Sequence, residues 1–135
     1  MESNRIIGNH FEDDFAETLF EKGFWVHKLQ QNQAGQPADI VAVKYRKALL
    51  IDCKVCTNDK FPLSRIEGNQ HLAMDLWRES GNGEAWFALK IYDDYVFMLT
   101  HKQMSDFMAE GKSTLNAIDI IEYGVPFGKW VKKCK

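Results

Sequence analysis

Two aspartates and a lysine stand out because they lie within two apolar runs of the chain. The runs cover residues 38–45 and 48–55, and a basic dipeptide separates them, a pattern typical of a β-hairpin. A two-residue turn places Asp39 opposite Lys54, and a turn two residues longer places Asp39 opposite Asp52. Side chains alternate along a strand, so in either register all three share one side of the sheet. Such charged groups among apolar neighbours are costly unless they compensate one another or bind a ligand.

A third carboxylate comes from the first predicted helix, which runs from an N-cap at Asn9 to about Lys22 and stops at Gly23. Placed 100° apart around the axis, Glu12 falls in the middle of the apolar arc, whereas the other acids of this helix fall on the outer face. We therefore expect Glu12 to point toward the core or a cleft beside it. The apolar arc consists of Phe11, Phe15, Ala16, Leu19 and Phe20.

Three carboxylates with a neighbouring ammonium form a site of hard oxygen ligands. Such a site suits Mg²⁺ or Mn²⁺. The lysine can orient or deprotonate an attacking water, or stabilise negative charge on a phosphate. The structural alternatives are an Asp–Lys pair that braces the hairpin and a Glu12 side chain that extends to solvent.

The same residues carry a resemblance to a known superfamily. Pro37-Ala38-Asp39, then twelve intervening residues and Asp52-Cys53-Lys54, resembles the PD-(D/E)xK motif of metal-dependent nucleases. Gly8-Asn9-His10-Phe11-Glu12 is similar to the helix opening of archaeal-type and RecU-like Holliday junction resolvases. Lys60-Phe61-Pro62-Leu63 and the later Gln70-His71-Leu72 are similar to a stretch of the RecU-like proteins.

The resemblance implies a restriction-endonuclease-like core and a role for each motif residue. Glu12, Asp39 and Asp52 would bind Mg²⁺ or Mn²⁺, Lys54 would serve catalysis and Gln70 would support the site. The implied function is a metal-dependent endonuclease, a Holliday junction resolvase that cuts four-way DNA junctions as a homodimer. Two alternatives remain at this point: another nuclease of the superfamily with a repair or restriction role, and a non-catalytic module that binds DNA or metal.

The charge is segregated along the chain although the net charge is only −2. Residues 22–65 carry eight basic and three acidic side chains, and residues 129–135 carry four basic side chains and no acidic one. Segregation of this kind permits a basic surface on a nearly neutral protein. We expect DNA backbone contacts from the lysine tail and from the following residues of the basic segment: Lys28, Lys44, Arg46, Lys47, Lys60 and Arg65.

Composition argues against a disordered chain, a membrane-spanning protein and a cysteine-based metal site. The 135 residues fit a single nuclease-like domain over residues 1–135, and 45% hydrophobic residues indicate a globular chain. No apolar run reaches the roughly 20 residues of a membrane span, and we expect a cytoplasmic protein with reduced thiols. Cys53 and Cys56 form a CxxC, but the scattered histidines and the third cysteine supply no second pair at zinc-ligand spacing.

The remaining pattern predicts an α/β fold with a mixed central sheet flanked by helices. Beyond the first hairpin, Ser64 and Glu67 predict a capping box that opens a helix to about Ser80. Residues 113–127 are ambiguous. The other predicted elements are a strand over 24–29, a loop over 30–37, a second hairpin over 85–92 and 95–100, and a helix over 102–110.

Overall fold

A mixed β-sheet lies at the centre of the chain. The computed structural model describes residues 4–30 and 36–134, and within these ranges it contains five helices and eight strands. The helices are α1 (Asn4–Glu21), α2 (Gly68–Glu79), α3 (His101–Ala109), α4 (Ala117–Tyr123) and α5 (Phe127–Lys133). The strands are β1 (Trp25–Lys28), β2 (Ile40–Lys44), β3 (Lys47–Val55), β4 (Phe61–Pro62), β5 (Trp86–Ile91), β6 (Tyr95–Thr100), β7 (Thr114–Leu115) and β8 (Val125–Pro126).

The sheet joins six of the described strands in the order β1-β2-β3-β5-β6-β8. β3 and β5 are parallel, and the other neighbouring pairs are antiparallel. β4 and β7 form a separate short antiparallel pair. The predicted α/β fold with a mixed sheet flanked by helices is confirmed.

The two faces of the sheet bury different helices. On one face, α1 and α5 contribute Phe15, Leu19 and Trp130 to an apolar layer. On the other face, α2 and α3 contribute Met74 and Met104. The predicted apolar arc of α1 is wrong at one of its five positions: Phe20 is largely exposed, because it falls at the margin of the arc, away from the sheet.

The first helix begins earlier than the sequence predicts and ends where it predicts. α1 starts at Asn4, so Asn9 lies inside the helix and does not cap it. Gly23 adopts φ of 93°, and the N–H of Phe24 donates to the Leu19 carbonyl oxygen at 3.1 Å. This bond and the left-handed glycine form a Schellman motif, which turns the chain sharply into β1.

The first hairpin is shifted by one residue from its predicted turn. The two-residue turn is Tyr45-Arg46, with φ of 52° and 68°, and Lys44 pairs with Lys47. The predicted turn at Arg46-Lys47 is therefore wrong. Two successive residues with positive φ match the right-handed twist of the strands, which explains the choice of turn.

The register of this hairpin is the second of the two that the sequence allows. Ile40 pairs with Ile51. Asp39 lies one residue before β2, and its N–H donates to the Ile51 carbonyl oxygen at 3.1 Å, so the regular pairing ends at Ile40.

The helix that carries Gln70 starts three residues later than predicted. Leu63–Arg65 form a 3₁₀ turn, and α2 is capped by Glu67 instead of Ser64. The N–H of Glu67 donates to the Oε1 atom of Gln70 at 3.3 Å. Ser64 lies within this 3₁₀ turn, which follows Pro62, so it is outside α2 and does not cap the helix.

The remaining elements agree with the predictions in type. The second hairpin consists of β5 and β6, and α3 starts at His101 and is followed by Gly111 with φ of 88°. The ambiguous residues 113–127 contain β7, α4 and β8. Residues 31–35 of the predicted loop lie outside the described residues.

Candidate active site

Asp39 lies immediately before β2, where its side chain continues the hydrogen bonding of the strand pair. The N–H of Asp39 donates to the Ile51 carbonyl oxygen at 3.1 Å, and its Oδ2 atom accepts the N–H of Cys53 at 2.7 Å. The side-chain amide of Gln36 donates to Oδ1. The carboxylate is 8% exposed and is held by both neighbours in one orientation.

Asp52 lies in the middle of β3 and is the most buried acid of the group, at 2% exposure. Its Oδ1 atom accepts a hydrogen bond from Gln70 Nε2 at 3.1 Å, and Lys54 Nζ lies 3.1 Å from Oδ2. The Oδ2 atom accepts no hydrogen bond of good geometry from the residues that the structure describes. Asp52 therefore has one oxygen fixed by an amide and one oxygen facing a cation.

Gln70 links helix α2 to this carboxylate. Its Oε1 atom accepts the N–H of Glu67, so its Nε2 atom is the one that faces Asp52. The side chain is buried, and both ends of the amide are bonded. Gln70 is thus part of a helix cap and of the acid cluster at the same time.

The carboxylates of Glu12, Asp39 and Asp52 crowd one another, with Asp39 in the middle. Burial, followed by the charge of Asp39, raises the pKa of Asp52 to about 8. Burial, again followed by the charge of Asp39, raises the pKa of Glu12 to about 7. Lys54 and Lys28 oppose these shifts without cancelling them. Fully ionised, the cluster would carry more negative charge than the neighbouring lysines neutralise, so protons or an added cation stabilise it.

The donor set suits a hard divalent cation. In the described part of the chain, no three carboxylate, imidazole or thiol groups already stand close enough together to hold an ion. However, the three acids are all oxygen donors, and burial together with the charge of Asp39 raises the pKa values of Glu12 and Asp52. Carboxylate oxygens are the ligands that Mg²⁺ and Mn²⁺ prefer.

The predicted DNA-contacting residues fall into separate regions of the surface. Lys28 forms an ion pair with Asp13 on α1. Arg65 donates to the Val55 carbonyl oxygen at 2.8 Å, just beyond Lys54 on β3. The other predicted contacts lie at the hairpin tip (Lys44, Arg46, Lys47) and before β4 (Lys60).

The two cysteines of the CxxC pack on opposite faces of the sheet. Cys53 contacts the α1 layer and Cys56 belongs to the α2 layer. Burial raises the pKa of Cys56 to about 12 and that of Cys53 well above its usual value, so both are neutral thiols. Opposed thiols in this state form neither a chelating pair nor a redox pair.

Two contacts of the site were not predicted from the sequence. Gln36, which orients Asp39, lies in a polar stretch that carries no regular pattern. His71 Nδ1 and His101 Nε2 stand 2.8 Å apart behind Gln70, across α2 and α3. A pairing between elements this distant in sequence leaves no local signal.

A mixed sheet with buried carboxylates at the first hairpin, a helix glutamate and a lysine is consistent with a nuclease of the PD-(D/E)xK class. A solved structure with a similar fold is that of Archaeoglobus fulgidus Hjc, a Holliday junction resolvase from an archaeal hyperthermophile. The TM-score is 0.70 at 21% identity, over 92% of this chain and 99% of that chain. No curated protein matches the chain in sequence.

The family model of the archaeal Holliday junction resolvase (hjc) matches residues 3–133, and the chain belongs to that family. It is a nuclease that resolves Holliday junctions, so this prediction is confirmed and the other nuclease duties and the non-catalytic module are not supported. No helix among the described residues has the length and apolar character needed to span a bilayer.

Proposed function

We propose that Glu12, Asp39, Asp52 and Lys54 form the centre that cleaves the junction, with Mg²⁺ or Mn²⁺ bound by the three acids. The observation that supports this most is the crowding of three carboxylates beside one lysine at the end of the first hairpin. A structural ion pair would need one acid and one base, whereas here two acids remain in excess. Such an excess is typical of a cation site.

Each side chain has a role that follows from its contacts. The metal ion held by these acids would supply Lewis-acid activation of the scissile phosphate and of the attacking water. Lys54 Nζ, 3.1 Å from Asp52, holds the attacking water or stabilises charge that develops on the phosphate. Gln70 keeps the Asp52 carboxylate in place through its amide, and Gln36 does the same for Asp39.

The proposal extends to the form in which the protein works. The four-way junction is cut by two symmetric nicks, so we infer a homodimer with two equivalent sites. Residues 1–135 act as one nuclease domain, in line with a family match that spans nearly all of them. Three free cysteines and a DNA substrate support a cytoplasmic location. The basic residues of the hairpin and tail contact phosphates.

Cleavage of a synthetic four-way junction tests the proposal. The wild-type protein with Mg²⁺ is expected to nick the junction and to leave a duplex of the same sequence intact, and EDTA is expected to stop the reaction. Glu12→Gln should abolish cleavage, whereas Glu17→Gln, which changes an exposed acid of the same helix, should leave the rate unchanged. Equal rates for Glu12→Gln and Glu17→Gln would remove Glu12 from the site.

A further inference from the structure

An exposed aromatic pair lies on the same face of the sheet as the candidate active site. Trp25 and His27 occupy alternate positions of β1, the edge strand of the sheet. His27 pairs with Val41 and Trp25 pairs with Val43. Val41 in turn pairs with Leu50, and Asp52 lies two residues beyond Leu50 in β3, so this face is also the one that carries Asp52.

The two rings form a flat, accessible surface. Their centroids are 6.1 Å apart and their planes differ by 15°, and the Trp25 side chain is 61% exposed. At a rise of about 3.4 Å per residue, His27 lies about 7 Å and Trp25 about 14 Å along the sheet from the level of Asp52. Stacked nucleotides of one strand also advance about 3.4 Å each. The pair thus lies two to four nucleotides from the acids.

A third exposed aromatic residue extends this surface toward the hairpin tip. Tyr45 is 63% exposed and lines one shallow surface pocket together with Trp25 and Lys44. Lys44 Nζ lies 5.3 Å from the centre of the Tyr45 ring and donates to the Lys22 carbonyl oxygen at 2.6 Å. Glu21 is the acidic residue in the pocket lining. Aromatic rings and lysines therefore alternate around this pocket.

The C-terminal helix adds further positive charge at the same end of the molecule. Cys134, next to Lys132 and Lys133, lies close enough to Lys44 and Lys47 for their charges to act on its thiol. This charge lies on the face of the sheet that packs against α1 and α5. Lys22 and Lys44 line the same pocket as Trp25 and Tyr45. Rings that accept stacked bases, beside cations that attract phosphates, are the combination found in surfaces that bind single-stranded nucleic acid.

We propose that Trp25, His27 and Tyr45, here called the aromatic platform, bind unpaired nucleotides of the DNA substrate. The bases stack on the rings, and the surrounding lysines contact the phosphates. In duplex DNA the base faces are already stacked on one another, so the platform distinguishes unpaired from paired segments. This inference rests on the proposed function in that the DNA strand must also reach the acids on the same face.

Binding in EDTA, where no cleavage takes place, tests the platform. The probes are a (dT)12 strand and a blunt duplex of equal length. Trp25→Ala should weaken (dT)12 binding about tenfold and change duplex binding less than twofold, because the variant cannot stack a base but keeps the lysines that bind phosphates. Trp25→Phe keeps a ring and should retain most of the affinity. Tyr95→Ala removes an exposed tyrosine from a different hairpin and should change neither.

Intrinsic fluorescence provides a second readout. Trp130 is buried and Trp77 and Trp86 are half-buried, so Trp25 is the tryptophan that a stacked base can quench most directly. Addition of (dT)12 should quench the wild-type emission, and Trp25→Phe should lose most of that change while binding persists.

Three outcomes would overturn the platform. They are unchanged (dT)12 affinity in Trp25→Ala, equal losses of affinity for strand and duplex, and conversion of a dimer to a monomer by this variant, which would mean that a second copy covers the surface.

The platform and the proposed function can be contradicted separately. A wild-type protein that binds (dT)12 through Trp25 but leaves the four-way junction uncut contradicts the proposed function alone, and normal junction cleavage without any Trp25 effect contradicts the platform alone.

Discussion

Asp52 is the residue whose replacement separates cleavage from binding most clearly. Asp52→Asn keeps the side-chain shape. Burial, which raises the pKa of Asp52, already favours a neutral group at this position. An amide is a poorer ligand for Mg²⁺ than a carboxylate, so a rate contribution worth several kcal/mol should disappear. We expect junction cleavage to be abolished and junction binding, measured by gel shift in Ca²⁺, to be preserved or slightly stronger.

A second variant of the acid cluster checks this expectation. Asp39→Asn should also abolish junction cleavage and preserve binding. The double variant should lose little more cleavage activity than either single variant, because the effects of residues that act as one unit are not additive. Wild-type cleavage rates for Asp52→Asn with Mg²⁺ would show that the acid cluster is not the active site.

The crowded acids also predict how metal-free stability depends on pH. The folded-state pKa values of Glu12 and Asp52 lie above their unfolded values, so the folded protein holds protons that the unfolded chain releases. That contribution to stability is complete below about pH 4 and is lost as pH rises through about 7 to 8. In EDTA, these two groups should therefore lower the Tm of the wild-type protein as pH rises from about 4 to about 8. Asp52→Asn should make this decrease in Tm smaller.

Mg²⁺ should reverse this trend, because protons and metal compete for the same oxygens. The rise in Tm on adding Mg²⁺ should be larger at pH 8 than at pH 6 in the wild-type protein, as measured by differential scanning calorimetry. Glu17→Gln serves as the matched control and should keep the wild-type response. A Mg²⁺ effect that is the same at both pH values would argue against ligation by Glu12 and Asp52.

At the scale of single residues, the sequence singled out Gln70, which hydrogen-bonds Asp52, but not Gln36, which hydrogen-bonds Asp39. The shared side of Asp52 and Lys54 follows from strand alternation. The bonds from Gln36 and from the Cys53 N–H to Asp39 depend on where the chain leaves the loop before β2. No periodic pattern specifies that point.

At the scale of elements, the hairpin turn offers a test in which stability and binding change in opposite directions. Arg46 has φ of 68°, a conformation that costs a residue with a Cβ atom about 1 kcal/mol. Arg46→Gly should therefore raise the free energy of unfolding by up to about 1 kcal/mol in urea denaturation. It should also make the negative slope of log K against log salt shallower by about 0.9 for each phosphate that the variant no longer neutralises.

Arg46→Ala is the matched control for this turn. It removes the charge but keeps a Cβ atom, so DNA binding should weaken as in Arg46→Gly without the gain in stability. If the salt slope of both variants equals that of the wild type, the hairpin tip does not contact DNA.

Element types were predicted more reliably than element ends. The second hairpin was found because its strands have six residues each and a polar turn between them. Residues 113–127 stayed ambiguous because they hold two-residue strands and a seven-residue helix, which are shorter than the window that periodicity needs. The start of α2 was missed because the chain forms a 3₁₀ turn after Pro62 before the helix can begin.

At the scale of the whole molecule, helix α2 joins the candidate active site to an exposed apolar surface. One side of α2 buries Gln70 and Met74, and Gln70 contacts Asp52. Leu72 and Leu76 lie on the opposite side and are 73% and 63% exposed. Leucines four residues apart on a helix form a continuous apolar strip, and two such strips can pack together around a two-fold axis. This packing would fix the distance between two active sites.

The last prediction tests this strip as the contact that coordinates the two nicks. Leu72→Glu combined with Leu76→Glu should convert a dimer to a monomer in sedimentation velocity, because two buried carboxylates without partners oppose association. The fold should remain, since both side chains face solvent in one chain. Ile118→Glu, an equally exposed apolar position on α4, is the matched control and should leave the dimer intact.

On a supercoiled plasmid with an extruded cruciform, the wild-type dimer should give linear product by paired nicks, and the double variant should release mainly nicked circles. A double variant that stays dimeric and still linearises the plasmid would place the dimer contact elsewhere on the molecule.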